Sequence, residues 1–212
     1  LKTYVGSGLS EVDVWRYTSQ TASTGDDYSI GSIDSANDGN TNFYLTWSNL
    51  DFDLDYNIIS STSLNKGSTW STPVYVAGQG DDSWRDTPSI DFGSDEVVVL
   101  WSDRTDTSDA SDEEDIHYSV SDDDGATWSD LEPISEHYYE ADSSNPALSY
   151  SDDSLYTCYL DDGDLNQETD SNGNDANLDD GDVFFRKSID SGETWTQPLV
   201  ISNQDNDGET EI

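Results

Sequence analysis

Basic residues are almost absent from this chain: Lys2, Lys66, Lys187 and Arg16, Arg85, Arg104, Arg186 stand against 47 acidic residues, most of them Asp. Nucleic acid and anionic membranes are therefore not expected partners, because both are bound through basic patches. Methionine is missing, and Leu1 in the first position suggests a processed chain or an excised fragment. No stretch approaches the roughly 18 apolar residues of a membrane-spanning helix, and no signal peptide is visible. The lone Cys158 has no internal disulfide partner; it lies in an apolar run with Leu155, Tyr156 and Leu160 and reads as a small hydrophobe. His117 and His137 are isolated from other soft ligands, so a zinc site is not expected.

What the chain has in excess is negative charge, −40 net over 212 residues. Area scaling for a folded chain of this size spreads that charge at one unit per about 240 Å², roughly 15 Å apart. Neighbouring charges then lie within two Debye lengths at physiological salt and destabilise the compact state, whereas molar salt shortens the screening length to about 3 Å. Acidity of this degree ordinarily marks disorder. Seven Trp, twelve Tyr and five Phe argue instead for a folded core, and the balance predicts a protein adapted to high K⁺ or Na⁺.

The aromatics recur in register. Three segments align without gaps: Ser63-Leu-Asn65-Lys-Gly67-Ser-Thr69-Trp70, Ser121-Asp-Asp123-Asp-Gly125-Ala-Thr127-Trp128 and Ser188-Ile-Asp190-Ser-Gly192-Glu-Thr194-Trp195. The common pattern is Ser-x-Asp/Asn-x-Gly-x-Thr-Trp, in which a short polar side chain can cap a tight bend and Gly supplies positive φ. Thr then restarts a strand, and Trp is expected to pack across it. Before each segment run an apolar strand (Phe43–Trp47, Val97–Trp101, Leu155–Tyr159) and a strand opened by a polar residue. A shorter strand precedes them, beginning near Ser29, Pro88 and Pro146, and another follows the Trp. Four antiparallel strands per unit of about 60 residues make a propeller blade, so the fold class is all-β.

These segments resemble the Asp-box (BNR) repeat of sialidase-like β-propellers. The resemblance implies blades at 28–82, 83–141 and 142–204, a partial blade at 1–27 and an acidic tail at 205–212. It also implies that the Asp-box residues are structural and that any site lies on the opposite face. The loops on that face lengthen from 48–55 through 102–115 to 161–182. Their Asp103, Asp106, Asp109, Asp112, Asp170, Asn172, Asn174 and Asp179 are candidate Ca²⁺ ligands, since calcium takes clustered hard oxygen donors. A solvated acidic loop is the competing explanation.

For a sialidase the resemblance implies an arginine triad, a Tyr–Glu nucleophile pair and an Asp acid/base. Arg85, in Arg85-Asp-Thr-Pro88, matches the family's Arg-Ile-Pro with one extra residue, and Arg104 and Asp109 follow at suggestive distances. No Tyr–Glu pair can be assigned, and Arg186 falls in a strand. The leading expectation is a non-enzymatic extracellular or cell-surface propeller acting in adhesion, glycan or cation binding, or surface assembly. A sialidase-like glycoside hydrolase fragment and a subunit self-associating through open blade edges are the alternatives. Extracellular placement rests on family analogy alone.

Overall fold

The computed structural model describes residues 29–50, 56–78, 83–104, 114–135, 142–151, 153–162 and 182–202. The expected partial blade at 1–27 and the tail at 205–212 lie outside them. Among the described residues every regular element is a strand. The first sheet contains β1 (Ser29–Asn37), β2 (Phe43–Leu50), β3 (Tyr56–Ser63) and β4 (Val74–Ala77). The second contains β5 (Trp84–Gly93), β6 (Glu96–Arg104), β7 (Asp115–Ser121) and β8 (Glu132–Pro133). The third contains β9 (Ser143–Ser151), β10 (Ser154–Asp161), β11 (Asp182–Ser188) and β12 (Leu199–Val200). Each sheet is a four-stranded antiparallel meander, and together they are three consecutive blades of a β-propeller.

The central strand β6 explains the stacking. Val97, Val99 and Trp101 turn toward the first sheet and join Tyr44, Ile58 and Val76 in one core. Val98 and Leu100 turn the other way and meet Leu155, Tyr159 and Phe184 of the third. A strand covered on both faces needs an unbroken apolar run, which Val-Val-Val-Leu-Trp supplies.

The first strand of each blade is longer than expected from sequence; in the second and third blades it begins before the proline, at Trp84 and Ser143, whereas in the first it begins at Ser29 as expected and runs on to Asn37. In the second blade the register with β6 shifts between Asp86 and Ser89, around Pro88; in the third it shifts between Cys158 and Leu160, opposite the stretch containing Pro146. Thr87 and Asn145, the residues before the prolines, have φ of 50° and 52°. A bulge tolerates Pro because the extra residue leaves an N–H out of the ladder. In the first blade the shift falls between Ile30 and Ile33.

Each Ser-x-Asp/Asn-x-Gly-x-Thr-Trp segment forms the bend between the third and fourth strands of its blade. Ser63, Ser121 and Ser188 accept a hydrogen bond from the Gly N–H at 2.8, 2.8 and 2.9 Å. Asn65, Asp123 and Asp190 accept one from the Thr N–H at 2.8, 2.8 and 2.9 Å. The two central residues have positive φ throughout, 58° and 77° at Lys66-Gly67, 59° and 79° at Asp124-Gly125, 58° and 95° at Ser191-Gly192. That is the pattern of a type I′ hairpin turn, whose twist suits the flanking strands.

Trp128 and Trp195 do not stay within their own blades but reach the preceding one. Trp128 donates its indole N–H to Ser60 Oγ of the first blade at 3.1 Å, and Trp195 stands edge-on to Tyr118 of the second. The bends reach back the same way: Thr62 Oγ1 donates to the Asp124 carbonyl at 2.8 Å, and Tyr118 OH to the Gly192 carbonyl at 2.6 Å. The repeat is thus an interlock between successive blades as well as a turn.

Candidate functional site

Antiparallel topology puts the starts of β1, β5 and β9, the ends of β2, β6 and β10, and the starts of β3, β7 and β11 on the face opposite the bends. Arg85 begins this face and is fully buried. Its Nε donates to Asp103 Oδ2 at 2.7 Å, directly across the β5–β6 ladder, and Trp101 Nε1 donates to the same oxygen at 2.9 Å. A guanidinium sealed in this way is a structural ion pair. Asp103, the one candidate calcium ligand inside the described residues, is held by the same contacts; Asp106, Asp109, Asp112, Asp170, Asn172, Asn174 and Asp179 lie outside them. The described residues contain no cluster of three or more acidic, His or Cys side chains arranged to hold a metal.

Arg104 is different. Its guanidinium is about one-third exposed and reaches Glu114 Oε2 at 3.3 Å and Asp142 Oδ2 at 3.6 Å, linking the second blade to the third. Asp142 Oδ1 accepts the Glu114 N–H at 2.8 Å, and Asp162 Oδ1 accepts the Asp142 N–H at 2.6 Å. Burial pushes the Glu114 carboxyl up; the Ser102 hydroxyl and Arg104 oppose that shift, and the negative charges of Asp142 and Asp86 add to it. For Asp86 burial also acts upward, but hydrogen bonds from Ser48, Thr87 N–H and Ser32 prevail and hold it below the usual range. Ser48 Oγ donates to Asp86 Oδ1 at 2.7 Å and Thr87 N donates at 2.7 Å.

Two serines organise this rim. Ser48 receives the Ser32 N–H of its own blade at 3.1 Å while holding Asp86 of the next. Ser102 shares a 2.9 Å bond with Thr87 and receives the Asn145 N–H of the next blade at 3.3 Å. The bulges are thereby fixed to neighbouring blades, which sustains the unusual φ at Thr87 and Asn145.

Beside Arg104, its cross-strand partner in the ladder, stands Trp84. Trp84 is 54% exposed and stacks on Tyr56 with ring centroids 4.7 Å apart and planes 7° from parallel. The Tyr56 N–H is anchored on the Ser83 carbonyl at 3.2 Å. One side of the indole is backed by the tyrosine, and more than half of the residue remains open to solvent. Trp84, Tyr56, Glu114, Asp86 and Asp142 were not singled out by the sequence pattern. The available signal was an aromatic embedded in the polar stretch Asp82-Ser-Trp-Arg-Asp86.

The remaining polar groups serve the frame. Asp115 accepts the Ser135 hydroxyl at 2.8 Å and Asp182 accepts that of Ser202 at 2.8 Å, tying the third strand to the end of the fourth. Arg186 donates to the carbonyls of Thr196 in its own blade and Ile134 in the preceding one. His117 is buried with its ring stacked near Trp101, and burial pushes its pKa down.

No family model matches this sequence, and no curated protein matches it. Solved structures do. An α-L-arabinofuranosidase from Fusarium graminearum, in complex with an iminosugar inhibitor, aligns with a TM-score of 0.55 at 18% identity, covering 77% of this chain and 46% of its own. A family 117 glycoside hydrolase of the marine bacterium Zobellia galactanivorans aligns at 0.52 and 11% identity, covering 79% and 55%. A GH32 β-fructofuranosidase of Bombyx mori aligns at 0.53 and 15%, covering 84% and 36%. The class defined by sheets and likeness is the β-propeller, in the form also used by glycoside hydrolases. The chain spans roughly half or less of the length of the two arabinofuran- and fructofuranosidases.

Proposed function

We propose that this chain belongs to an extracellular or cell-surface β-propeller that binds a neutral carbohydrate on the face opposite its repeat bends. The observation that carries the proposal is the Tyr56-backed Trp84 indole beside the Arg104–Glu114–Asp142 cluster. A flat, rigid aromatic face suits the C–H surface of a sugar ring, and hydroxyls around such a ring need a mixture of donors and acceptors. Arg104 is a donor already neutralised by two carboxylates, so an anionic sugar finds no free positive charge here, and the net charge of −40 repels it. On this account the three repeats are Asp boxes, the acidic surface is a high-salt adaptation, and the binding role is adhesion or capture without catalysis. The test is isothermal titration in molar KCl with arabinobiose and other neutral disaccharides. Dissociation constants near millimolar, about −4 kcal/mol, are expected; absence of heat for every neutral saccharide sinks the proposal.

A hydrolytic reading has one support in the site itself. Glu114 is raised and Asp86 lowered on the same rim, and carboxyls pushed apart in this way can divide acid and base roles. The likeness to glycoside hydrolases supports it at the level of fold. Release of nitrophenol from neutral aryl glycosides, lost in Glu114→Gln, would favour this reading over simple binding.

A further inference from the structure

The aromatic stack and the charged cluster of the rim hold the same place in two successive blade junctions. Tyr56 and Glu114 stand at the same distance before the repeat serines Ser63 and Ser121. Leu50 and Arg104 stand at the same distance after Trp47 and Trp101 of the second strands. Leu50 is the ladder partner of Tyr56, and Arg104 bonds Glu114 at the matching place. Trp84 and Asp142 each immediately precede the residue, Arg85 or Ser143, that pairs across the ladder with Asp103 or Asp161. The backbone contacts repeat as well. The Tyr56 N–H is held by the Ser83 carbonyl, next to Trp84, and the Glu114 N–H by the Asp142 carboxylate. At both junctions the lead-in to the next blade reaches back over the start of the preceding third strand.

What differs is the chemistry. The first junction, Leu50, Tyr56 and Trp84, is an aromatic plane with an aliphatic neighbour. The second, Arg104, Glu114 and Asp142, is charged, and its side chains keep 35%, 22% and 42% of their surface in solvent. It is unlike the Arg85–Asp103 pair, in which both side chains are fully sealed. Both carboxylates meet Arg104 on one terminal nitrogen, Nη2, so the rest of its donor fork is not committed to them. Trp84 and Arg104 are partners in the β5–β6 ladder, about 5 Å apart along the backbone, while packed sheets lie about 10 Å apart. Two junctions that close together are within reach of adjoining rings of one linear saccharide.

Building on the carbohydrate reading of this rim, we propose that the two junctions are adjoining subsites for a neutral oligosaccharide of at least two rings. One ring lays its C–H face on the Tyr56-backed Trp84 indole. The hydroxyls of the next ring donate to the Glu114 and Asp142 carboxylates and accept from the Arg104 guanidinium. The aromatic junction supplies contact area with little preference among rings, and the charged junction selects for the second ring by the placement of its hydroxyls.

Calorimetric titration of the full chain in molar KCl, with a panel of neutral methyl glycosides and their linear disaccharides, arabinobiose included, separates the two subsites. A disaccharide should bind at least about tenfold tighter than its methyl glycoside, the effect of one or two hydrogen bonds to charged groups. Arg104→Gln should bring the disaccharide down to the methyl glycoside's affinity and leave the latter unchanged, whereas Trp84→Ala should abolish both. Asp142→Asn, at a more exposed position, should act in the same direction as Arg104→Gln and carries the test if that variant fails to fold; circular dichroism checks each. Equal affinity for one ring and two, still dependent on Trp84, overturns the paired subsites and leaves a single-ring carbohydrate site standing. A disaccharide gain that survives both Arg104→Gln and Asp142→Asn overturns them too, because the second ring then sits elsewhere. No binding of any saccharide removes the carbohydrate reading and the paired subsites together.

Discussion

Trp128 in the second blade donates its indole N–H to Ser60 in the first, 3.1 Å away across the gap between the sheets. The donor belongs to a repeat bend and the acceptor to a third strand, so one motif closes its own hairpin and fastens its blade to the previous one. Trp128→Ala should cost about 3 kcal/mol, since it removes a large packed ring together with the hydrogen bond. Trp128→Phe and Ser60→Ala should show a coupling of about 1 kcal/mol in a double-mutant cycle read by chemical denaturation in high salt. Strict additivity would mean the bond contributes nothing to stability.

Asp123 and Asp190 are held below the ordinary carboxylate range, first by the Thr127 and Thr194 hydroxyls that donate to them. Their folded pKa lies below the unfolded value, so their contribution is present above the unfolded pKa and is lost as pH falls through the folded one. Asn65 makes the same backbone contact without a titrating group. Asp123→Asn with Asp190→Asn should therefore fold and should flatten acid denaturation below about pH 4. An unchanged acid limb would show that these bends do not set it.

His117 has the opposite linkage. Burial lowers its folded pKa, with Asp103 and Asp115 opposing and Arg85 adding to the shift. The unfolded chain then binds the proton more readily, so stability is lost as pH falls through the unfolded value near 6.5 and levels off below the folded one. His117→Asn should remove that slope between about pH 6.5 and the folded pKa, measured by thermal unfolding in molar KCl.

Arg85 and Asp103 form a buried pair, and truncating one leaves the other uncompensated. Arg85→Ala or Asp103→Ala should each cost about 3–5 kcal/mol, whereas replacing both with apolar residues should cost much less than the sum. If single and double replacements were equally mild, the pair would not be sealed as described.

The repeat bends were legible in sequence because their chemistry is local. Eight consecutive residues carry the turn, and Gly and Asp have few other reasons to recur at that spacing. The ninth residue was not seen: Ser71, Ser129 and Thr196 each place a hydroxyl on the backbone N–H of Thr62, Val120 or Lys187. Ser and Thr alternate there, so no single letter repeats. The direction of the Trp was also hidden, because it depends on the neighbouring blade. Arg85 matched a sialidase-like arginine by position, but its burial is set by Asp103 eighteen residues away. Trp84 and Tyr56 come from separate blades, and only folding brings them together.

Salt separates two roles for the acidic surface. Far-UV circular dichroism should report β-structure only as KCl rises toward molar, with millimolar Ca²⁺ adding nothing at low salt, if the carboxylates are solvated surface. Folding by Ca²⁺ alone would instead assign metal sites to the loops carrying Asp106, Asp109, Asp112, Asp170 and Asp179.

The carbohydrate face is tested most directly by a fluorescence titration of the wild type, Trp84→Phe and Trp84→Ala with a neutral disaccharide in molar KCl. Stacking on the Tyr56-backed indole predicts a saturable emission change in the wild type, weaker affinity in Trp84→Phe by calorimetry, and none in Trp84→Ala, with all three equally folded. Equal affinity in the wild type and Trp84→Ala would contradict the account and move any saccharide site away from this rim.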